Sequence, residues 1–252
     1  MRNLIFYSCC IFLWSSLYKG QDLHITYTYI SPLHAKVKED LYINGNDAKD
    51  IRDSVFVYEK AKSNVSQERG GIGIRSKNKM YTETYYKSAL SNRILIKSNI
   101  SDQSYWIEDT VPEMQWNTDY NETKNINNYL CKKATCDFRG SSIVAYYTTE
   151  LPYPFGPFKF GGLPGLILEI GEEKTDINRW TVTDIIKNSG SKTDTQKPQN
   201  IENVISYQEF LELYGSANRK DVKKLTNDLP KGVIVSEFRT VRKGIEKKYE
   251  WE

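Results

Sequence analysis

Histidine and cysteine are scarce in this sequence: its 252 residues include two His and four Cys, of which Cys9 and Cys10 lie near the start. His24 and His34 stand apart from any second His or Glu at the spacing of a metal motif, so we expect no metal site and no bound cofactor. No Gly-x-Ser-x-Gly elbow is present, and Gly70-Gly71-Ile72-Gly73 lacks the following Lys and Ser/Thr of a phosphate loop. The sequence therefore identifies no catalytic residues and favours a protein that is not an enzyme.

Charge of a single sign is also lacking. The chain has 35 Lys and Arg against 32 Asp and Glu, a formal net charge of +3, and the two signs are interspersed. Binding to nucleic acid needs a clustered basic face, which this distribution does not provide. We therefore expect no nucleic acid among the partners.

Long apolar runs are missing except at the N-terminus. Arg2 precedes the uncharged run Leu4–Tyr18, which is too short to cross a bilayer comfortably as a permanent helix and is typical of a secretory signal peptide. We predict that residues 1–20 form this signal peptide, with an uncleaved membrane anchor as the alternative, and that residues 21–252 form a single domain. The chain is then exported, and is periplasmic, outer-membrane-associated or secreted.

Tyrosine is abundant, with 18 residues, and short runs with β character recur between turn residues. Hairpins are predicted across Arg139-Gly140-Ser141, between 166–170 and 179–186, and across residues 242–244. These short, locally connected strands predict a mainly β fold, with a curled antiparallel sheet that is a half-barrel or barrel-like. The predicted strands are His24–Ile30, Ser54–Glu59, Lys79–Tyr86, Arg93–Ser98, Ser104–Glu108, Tyr129–Phe138, Ser142–Glu150, Leu166–Ile170, Arg179–Ile186, Val233–Thr240 and Ile245–Trp251.

Helical signals are confined to the region before the last predicted hairpin. Ser206-Tyr207-Gln208-Glu209 is a capping box, which predicts the start of a helix, and Gly215 predicts its end. A second helical stretch is predicted from Asn218 to Leu225. One or two C-terminal helices are thus expected before the final hairpin, and residues 188–200 are predicted to form a polar surface loop.

Two cysteines remain beyond the predicted signal peptide, Cys131 and Cys136. If one strand contains both, an offset of five places their side chains on opposite faces and about 16 Å apart, which is too far for a disulfide. A turn between them would allow a disulfide to form. For Cys131, a buried small residue is a simpler interpretation than a reactive or copper-binding thiol.

The most unusual segment covers residues 151–170, which contain four Pro and four Gly but are also rich in Phe and Leu. Proline fixes φ and glycine permits positive φ, so this composition predicts a backbone that follows a fixed path. The apolar side chains predict that the segment packs against the sheet and leads directly into the strand 166–170. Within it lies the sequence Gly162-Leu163-Pro164-Gly165-Leu166-Ile167.

That six-residue sequence is the signature of the GLPGLI family, the Porphyromonas-type secreted proteins of Bacteroidota, which this chain resembles. The resemblance extends to Gly156-Pro157, Lys159-Phe160, the strand Ile126–Thr135 and Tyr146-Tyr147-Thr148. Tyr146 departs from the family pattern, in which Trp is usual, and Cys136 is not a family position. The resemblance implies an envelope or secreted location and brings no established reaction. It also suggests an accessory role beside TonB-dependent outer-membrane receptors.

Three functions remain open from the residues alone. The first is a binding or carrier protein for an apolar ligand or peptide, in which five aromatic residues line or gate a cavity, although the same residues could form the core. The second is an interaction protein that docks on a TonB-dependent receptor through an exposed Pro/Gly/Phe loop. The weakest is a hydrolase with paired carboxylates, for which Glu169 is more simply the outward residue of an alternating strand. The five aromatic residues are Tyr146, Tyr147, Phe155, Phe158 and Phe160.

Overall fold

The computed structural model describes residues 22–57, 82–100, 102–190, 193–227, 242 and 244–252. Within these ranges, twelve strands form one sheet and one helix follows it. The elements are β1 (Leu23–Ile30), β2 (Lys36–Asn44), β3 (Asp47–Val57), β4 (Glu83–Ser88), β5 (Ser91–Ile100), β6 (Gln103–Thr110), β7 (Thr123–Ile126), β8 (Tyr129–Phe138), β9 (Ser141–Thr148), β10 (Leu166–Glu172), β11 (Arg179–Lys187), β12 (Val204–Ser206) and α1 (Tyr207–Asn227).

The sheet is open, with the strand order β12-β6-β5-β4-β3-β2-β1-β11-β10-β9-β8-β7. Ten of its neighbouring pairs are antiparallel, and β12 pairs with β6 in parallel. The predicted fold class, a mainly β chain built on a curled antiparallel sheet, is confirmed.

The curl of the sheet follows from one contact. Strands β6 and β8 are nine positions apart in the sheet order, which would separate them by about 43 Å if the sheet were flat. Yet Arg139, which directly follows β8, donates to a carboxylate oxygen of Asp109 in β6 at 2.8 Å. The sheet therefore curves until its two sides meet at one rim, although no ladder of hydrogen bonds closes it.

Burial alternates along the central strands, which have one face toward the interior of the curl. In β1 the buried residues are Leu23, Ile25, Tyr27 and Tyr29, and in β2 every second residue from Val37 to Ile43 is buried. Strand β10 differs because its first six residues are all buried, so it is covered on both faces.

Three sequence predictions need correction. Residues 245–251 contain no strand, because Ile245 and Tyr249 are buried against a turn of the sheet rather than in a ladder. Gly215 does not end the helix, which is continuous from Tyr207 to Asn227. Strands β2, β7 and β12 and the first half of β3 were not predicted from the sequence. The predicted strand 233–240 and the predicted signal peptide, residues 1–20, lie outside the described residues.

Cys131 and Cys136 both lie in β8, buried and unbonded to each other. A single strand with an offset of five is the arrangement in which a disulfide cannot form. Burial raises the pKa of Cys131 to about 11 and the pKa of Cys136 to about 12. Both thiols are therefore protonated at neutral pH, as expected of buried small residues. No helix in the described part of the chain is long and apolar enough to span a membrane.

Candidate functional site

Residues 151–165, here called the signature segment, lie inside the curl of the sheet. Phe158 stacks on Trp180 of β11 at 5.7 Å between ring centroids and meets the edge of Tyr85 of β4 at 5.4 Å. Phe160 packs on Phe138 of β8 at 5.2 Å. These strands are far apart in the sheet order, so one short segment fills the interior between them.

The glycines of the segment are required by close backbone approaches. A Cβ atom on Gly165 would lie 2.1 Å from the carbonyl oxygen of Thr148, and one on Gly161 would lie 2.7 Å from that of Pro154. Both obstacles are backbone atoms, which cannot move aside as a flexible side chain can. The amides next to these glycines form backbone hydrogen bonds: that of Leu166 donates to the carbonyl of Leu151, and that of Gly162 donates to the carbonyl of Pro154. The composition therefore encodes a fixed path, as the sequence predicted.

One group of buried charges, which we call the inner cluster, holds the tip of the signature segment. It consists of Glu39, Asp50, Arg52 and Lys87 on strands β2, β3 and β4. Glu39 accepts hydrogen bonds from the amide of Phe158 at 2.6 Å and from the indole of Trp180 at 2.9 Å.

Lys87 completes the inner cluster from β4. Its ammonium group donates to the carbonyl oxygens of Gly156 and Phe158 at 2.7 and 2.9 Å, and to Asp50 at 3.0 Å. All three ammonium protons therefore have acceptors. Phe158 has φ of 56°, a left-handed conformation that is uncommon for a non-glycine residue. Glu39 accepts from the amide of Phe158 and Lys87 donates to its carbonyl oxygen, and these two contacts stabilise that conformation.

Two carboxylates, Glu39 and Asp50, share the inner cluster, and both are fully buried. Burial and the charge of Glu39 raise the pKa of Asp50 well above its usual value. Burial also opposes ionisation of Glu39, but the charge of Arg52 and hydrogen bonds from Trp180 and Arg52 outweigh it and lower its pKa. This environment favours a neutral Asp50 beside an ionised Glu39. Such a pair is typical of acid–base sites, but neither carboxyl group is exposed, so in this structure the pair supports the fold.

A second buried group, which we call the rim cluster, holds the other side of the segment. It consists of Asp109, Arg139, Lys159 and Glu246. Arg139 donates two parallel hydrogen bonds to the carboxylate of Asp109, both 2.8 Å. The ammonium group of Lys159 lies 2.7 Å from the same carboxylate. Burial would raise the pKa of Asp109, but the hydrogen bonds from Arg139 and the charge of Lys159 lower it. The cluster therefore contains two cations and two carboxylates, and Arg139 also pairs with Glu250 at its exposed edge.

The C-terminal residues 244–252, here called the tail, dock on the rim cluster. Glu246 accepts two hydrogen bonds from the ammonium group of Lys159, at 2.9 and 3.1 Å, and one from the hydroxyl of Tyr207 at 2.9 Å. The carbonyl of Arg139 accepts from the amides of Lys247 and Lys248. The tail thus contacts the sheet through a turn, without joining it as a strand.

A cleft of about 400 Å³ opens beside the signature segment. Its walls are the β4–β5 turn, the chain after β6 and residues 154–155 and 159–162 of the segment. The size lies within the range of small-molecule sites. The apolar side chains that line it are Ala89, Leu90, Ile94, Val111, Pro112, Met114, Pro154, Phe155 and Phe160.

The structure distributes the five aromatic residues named from the sequence among different environments. Phe155 and Phe160 line the cleft, whereas Phe158 is packed beneath it in the interior. Tyr147 is buried in the core. Tyr146 lies at the periphery, where its hydroxyl donates to Glu122.

The residues of the hexapeptide 162–167 also lie in different environments. Leu163, Leu166 and Ile167 are almost fully buried and belong to the core. Gly162 is at the cleft, and Pro164 is exposed. The hexapeptide thus determines how the segment packs, and most of its side chains are not available to a ligand.

Glu169 does not face outward as the sequence predicted. It is only 7% exposed and accepts from Lys124 at 2.7 Å and Arg179 at 3.2 Å. The reason is that β10 is covered on both faces, so alternation does not bring any residue there to solvent. Within the described residues no three His, Cys, Asp or Glu side chains form a group suited to a metal ion.

Lys87, Lys159, Met114 and both charged clusters were not recognised from the sequence. A signal was present: in β2 and β3, Glu39 and Asp50 occupy positions at which the alternating pattern calls for apolar residues. Buried charges at core positions need partners, so such positions indicate a polar network. The partners themselves are distant in sequence and could not be inferred.

Comparison with known proteins supports the family link over a limited range. The model of a family described as "Protein of unknown function (Porph_ging)" matches residues 138–169, from the end of β8 into β10, which includes the whole signature segment. No curated protein matches the chain.

Similar folds occur among solved structures. Two structures of PNGF-II, in different space groups, each align with a TM-score of 0.50 at 14% identity. Both alignments cover 79% of this chain, but 34% and 33% of the PNGF-II chains. The chain thus spans about a third of their length, and at this identity the likeness concerns the fold alone.

Proposed function

We propose that this chain is an exported GLPGLI-type envelope protein that binds an apolar ligand or peptide in the cleft beside the signature segment. The observation that carries the proposal is the cleft itself, whose lining includes a group of apolar side chains and which is held in shape by a segment fixed on both sides. Export is supported by the signal-like residues 2–19, and the family by the match over residues 138–169.

Several polar groups of the cleft lining already have partners within the chain. The indole of Trp116 donates to the carbonyl of Gly161, the amide of Val111 donates to the carbonyl of Asn92, and Lys87 is saturated by three acceptors. Groups that already have partners offer little to a polar ligand, whereas apolar surface removed from water stabilises any apolar molecule that fits.

The receptor-docking alternative depended on an exposed aromatic loop. Phe155, Phe158 and Phe160 are all less than 10% exposed, so these three rings do not form such a surface. Docking on a TonB-dependent receptor therefore remains a prediction, and the cleft is the better-supported site.

The proposal is tested by titrating the exported form of the chain with 1-octanol while observing ¹³C-labelled methionine methyl groups. The chain contains Met1, Met80 and Met114, of which Met114 lines the cleft, so its signal is assigned with a Met114→Leu variant. We expect a saturable shift of the Met114 signal.

Ala89→Trp supplies the test of location. Ala89 is exposed in the β4–β5 turn and lines the cleft, so the indole should occupy the cleft and abolish the shift. Leu33→Trp adds the same ring at a 65% exposed position outside the cleft and should leave the shift unchanged. Absence of a saturable shift in the unmodified chain, or an equal shift in Ala89→Trp, would overturn the proposal.

A further inference from the structure

Lys159 is one of the residues that line the cleft, but its ammonium group is paired with residues outside that lining. The residue belongs to the cleft lining, yet its side chain has no exposed area. Its ammonium group contacts Asp109 at 2.7 Å and both oxygens of Glu246, and sits 3.5 Å from the centre of the Tyr207 ring.

The balance of charge depends on the tail. In the rim cluster, Arg139 and Lys159 carry two buried positive charges, and Asp109 and Glu246 carry two buried negative charges. Glu250, which also pairs with Arg139, is 43% exposed. Three of the four buried residues belong to the sheet, its turns or the signature segment. Glu246 alone comes from the tail, about a hundred residues later in the sequence.

We propose that Glu246 is a specificity determinant of the cleft: by neutralising Lys159 it restricts the site to uncharged apolar ligands and excludes anionic ones. The inference rests on the proposed function of the cleft. Without Glu246, Arg139 and Lys159 would share the one buried carboxylate that remains, that of Asp109. An excess of buried positive charge beside a water-poor site attracts an opposite charge strongly, so removing the Glu246 carboxylate should open the same cleft to a ligand with a carboxylate head group.

A neighbouring carboxylate provides a matched control. Glu250 also lies in the tail and binds Arg139 at 3.1 Å, but it is 43% exposed and has no contact with Lys159. Glu250→Gln and Glu246→Gln change the net charge of the chain equally. Glu246→Gln takes one of the two carboxylate partners away from Lys159, whereas Glu250→Gln leaves Lys159 with both.

The experiment compares 1-octanol with octanoate, which have the same chain length but differ in charge, by titrating the Met114 methyl signal at neutral pH. In the unmodified chain we expect octanol to bind at least about tenfold more tightly than octanoate. Glu246→Gln should reduce this ratio at least about tenfold, and Glu250→Gln should leave it unchanged. Lys159→Met leaves the opposite imbalance, so it should increase the ratio, and it provides a second test should Glu246→Gln fail to fold.

The outcomes separate the two proposals. Equal binding of octanol and octanoate to the unmodified chain would overturn the specificity role of Glu246 and leave the binding function standing. The role would also be overturned if Glu250→Gln changed the ratio as much as Glu246→Gln, or if Lys159→Met left it unchanged. Binding of neither probe to the unmodified chain would overturn both proposals.

Discussion

The inner and rim clusters fix the same segment by different means. The inner cluster lies on three adjacent strands and acts largely on the backbone, through Glu39 and Lys87 and the peptide groups of Gly156 and Phe158. The rim cluster acts between side chains and joins parts of the chain that are far apart in sequence, from Asp109 to Glu246. One cluster determines the conformation of the segment, and the other closes the curled sheet over it.

The clusters also differ in how completely their polar atoms are satisfied. In the inner cluster, one oxygen of Asp50 and one nitrogen of Arg52 are buried without a hydrogen-bond partner, and the raised pKa of Asp50 favours its neutral form. In the rim cluster the corresponding carboxylate, Asp109, is ionised and held by two cations. Charge pairing should therefore contribute more to the stability of the rim than to that of the interior.

The largest expected effect comes from removing the central cation of the rim. Arg139→Met leaves the buried carboxylates of Asp109 and Glu246 with one cation between them, and we expect a loss of about 3–5 kcal/mol in the free energy of unfolding. Urea denaturation measures it. Arg93→Met removes an exposed arginine paired with Glu108 at 3.6 Å and should cost less than about 1 kcal/mol. Equal losses in the two variants would show that burial of the pair does not matter.

The corresponding change in the inner cluster should cost less. Lys87→Met removes hydrogen bonds to Gly156, Phe158 and Asp50, but the neutral form of Asp50 is already favoured, so no unpaired carboxylate charge is left. We expect a loss of about 2 kcal/mol from the two carbonyl groups left without a donor. Urea denaturation under the same conditions measures the loss in the free energy of unfolding. A loss as large as that of Arg139→Met would contradict the proposed difference between the clusters.

The smallest effect is a difference in pH dependence. The raised pKa of Asp50 contributes stability below the ordinary aspartate pKa, and that contribution is lost as the pH rises through the folded-state pKa. The lowered pKa of Asp109 contributes stability above the ordinary pKa, and that contribution is lost as the pH falls through the folded-state pKa. The two clusters should thus weaken at opposite ends of the pH range.

Variants at the two positions isolate these contributions. Asp50→Asn should stabilise the chain relative to the unmodified protein as the pH rises, by about 1.4 kcal/mol for each unit of the pKa shift that it removes. Asp109→Asn should destabilise it near neutral pH and remove part of its acid sensitivity. Unfolding free energies measured at intervals from pH 4 to pH 9 test both, and parallel curves for the three proteins would refute the assignment.

The sequence predicted local features well where one kind of signal was sufficient. Strand β8 was predicted with the observed bounds, because alternating residues end at Arg139-Gly140, which takes up positive φ in the turn. The mainly β class, the start of α1 at the capping box and the fixed path of the signature segment were likewise available from composition and spacing. At the start of α1, the hydroxyl of Ser206 accepts from the amide of Glu209, as a capping box requires.

Other features failed for a common physical reason. Strand β2 was missed because Glu39, which lies in the core, makes its sequence look solvent-exposed. The alternation of Ile245, Tyr249 and Trp251 predicts a strand in the tail, yet the backbone of the tail donates to the carbonyl of Arg139 in a turn instead. In both cases the decisive partner is distant in the chain, and periodicity reports only local exposure.

The sequence by itself thus determined the class of fold, the turn chemistry and the rigid path of residues 151–165, because these depend on residues next to one another. Only the tertiary structure decided that Asp109, Lys159 and Glu246 meet, and that a cleft lies beside them. Those contacts depend on how far a twelve-stranded sheet curls, and the curl is set by packing and ion pairs across the whole chain.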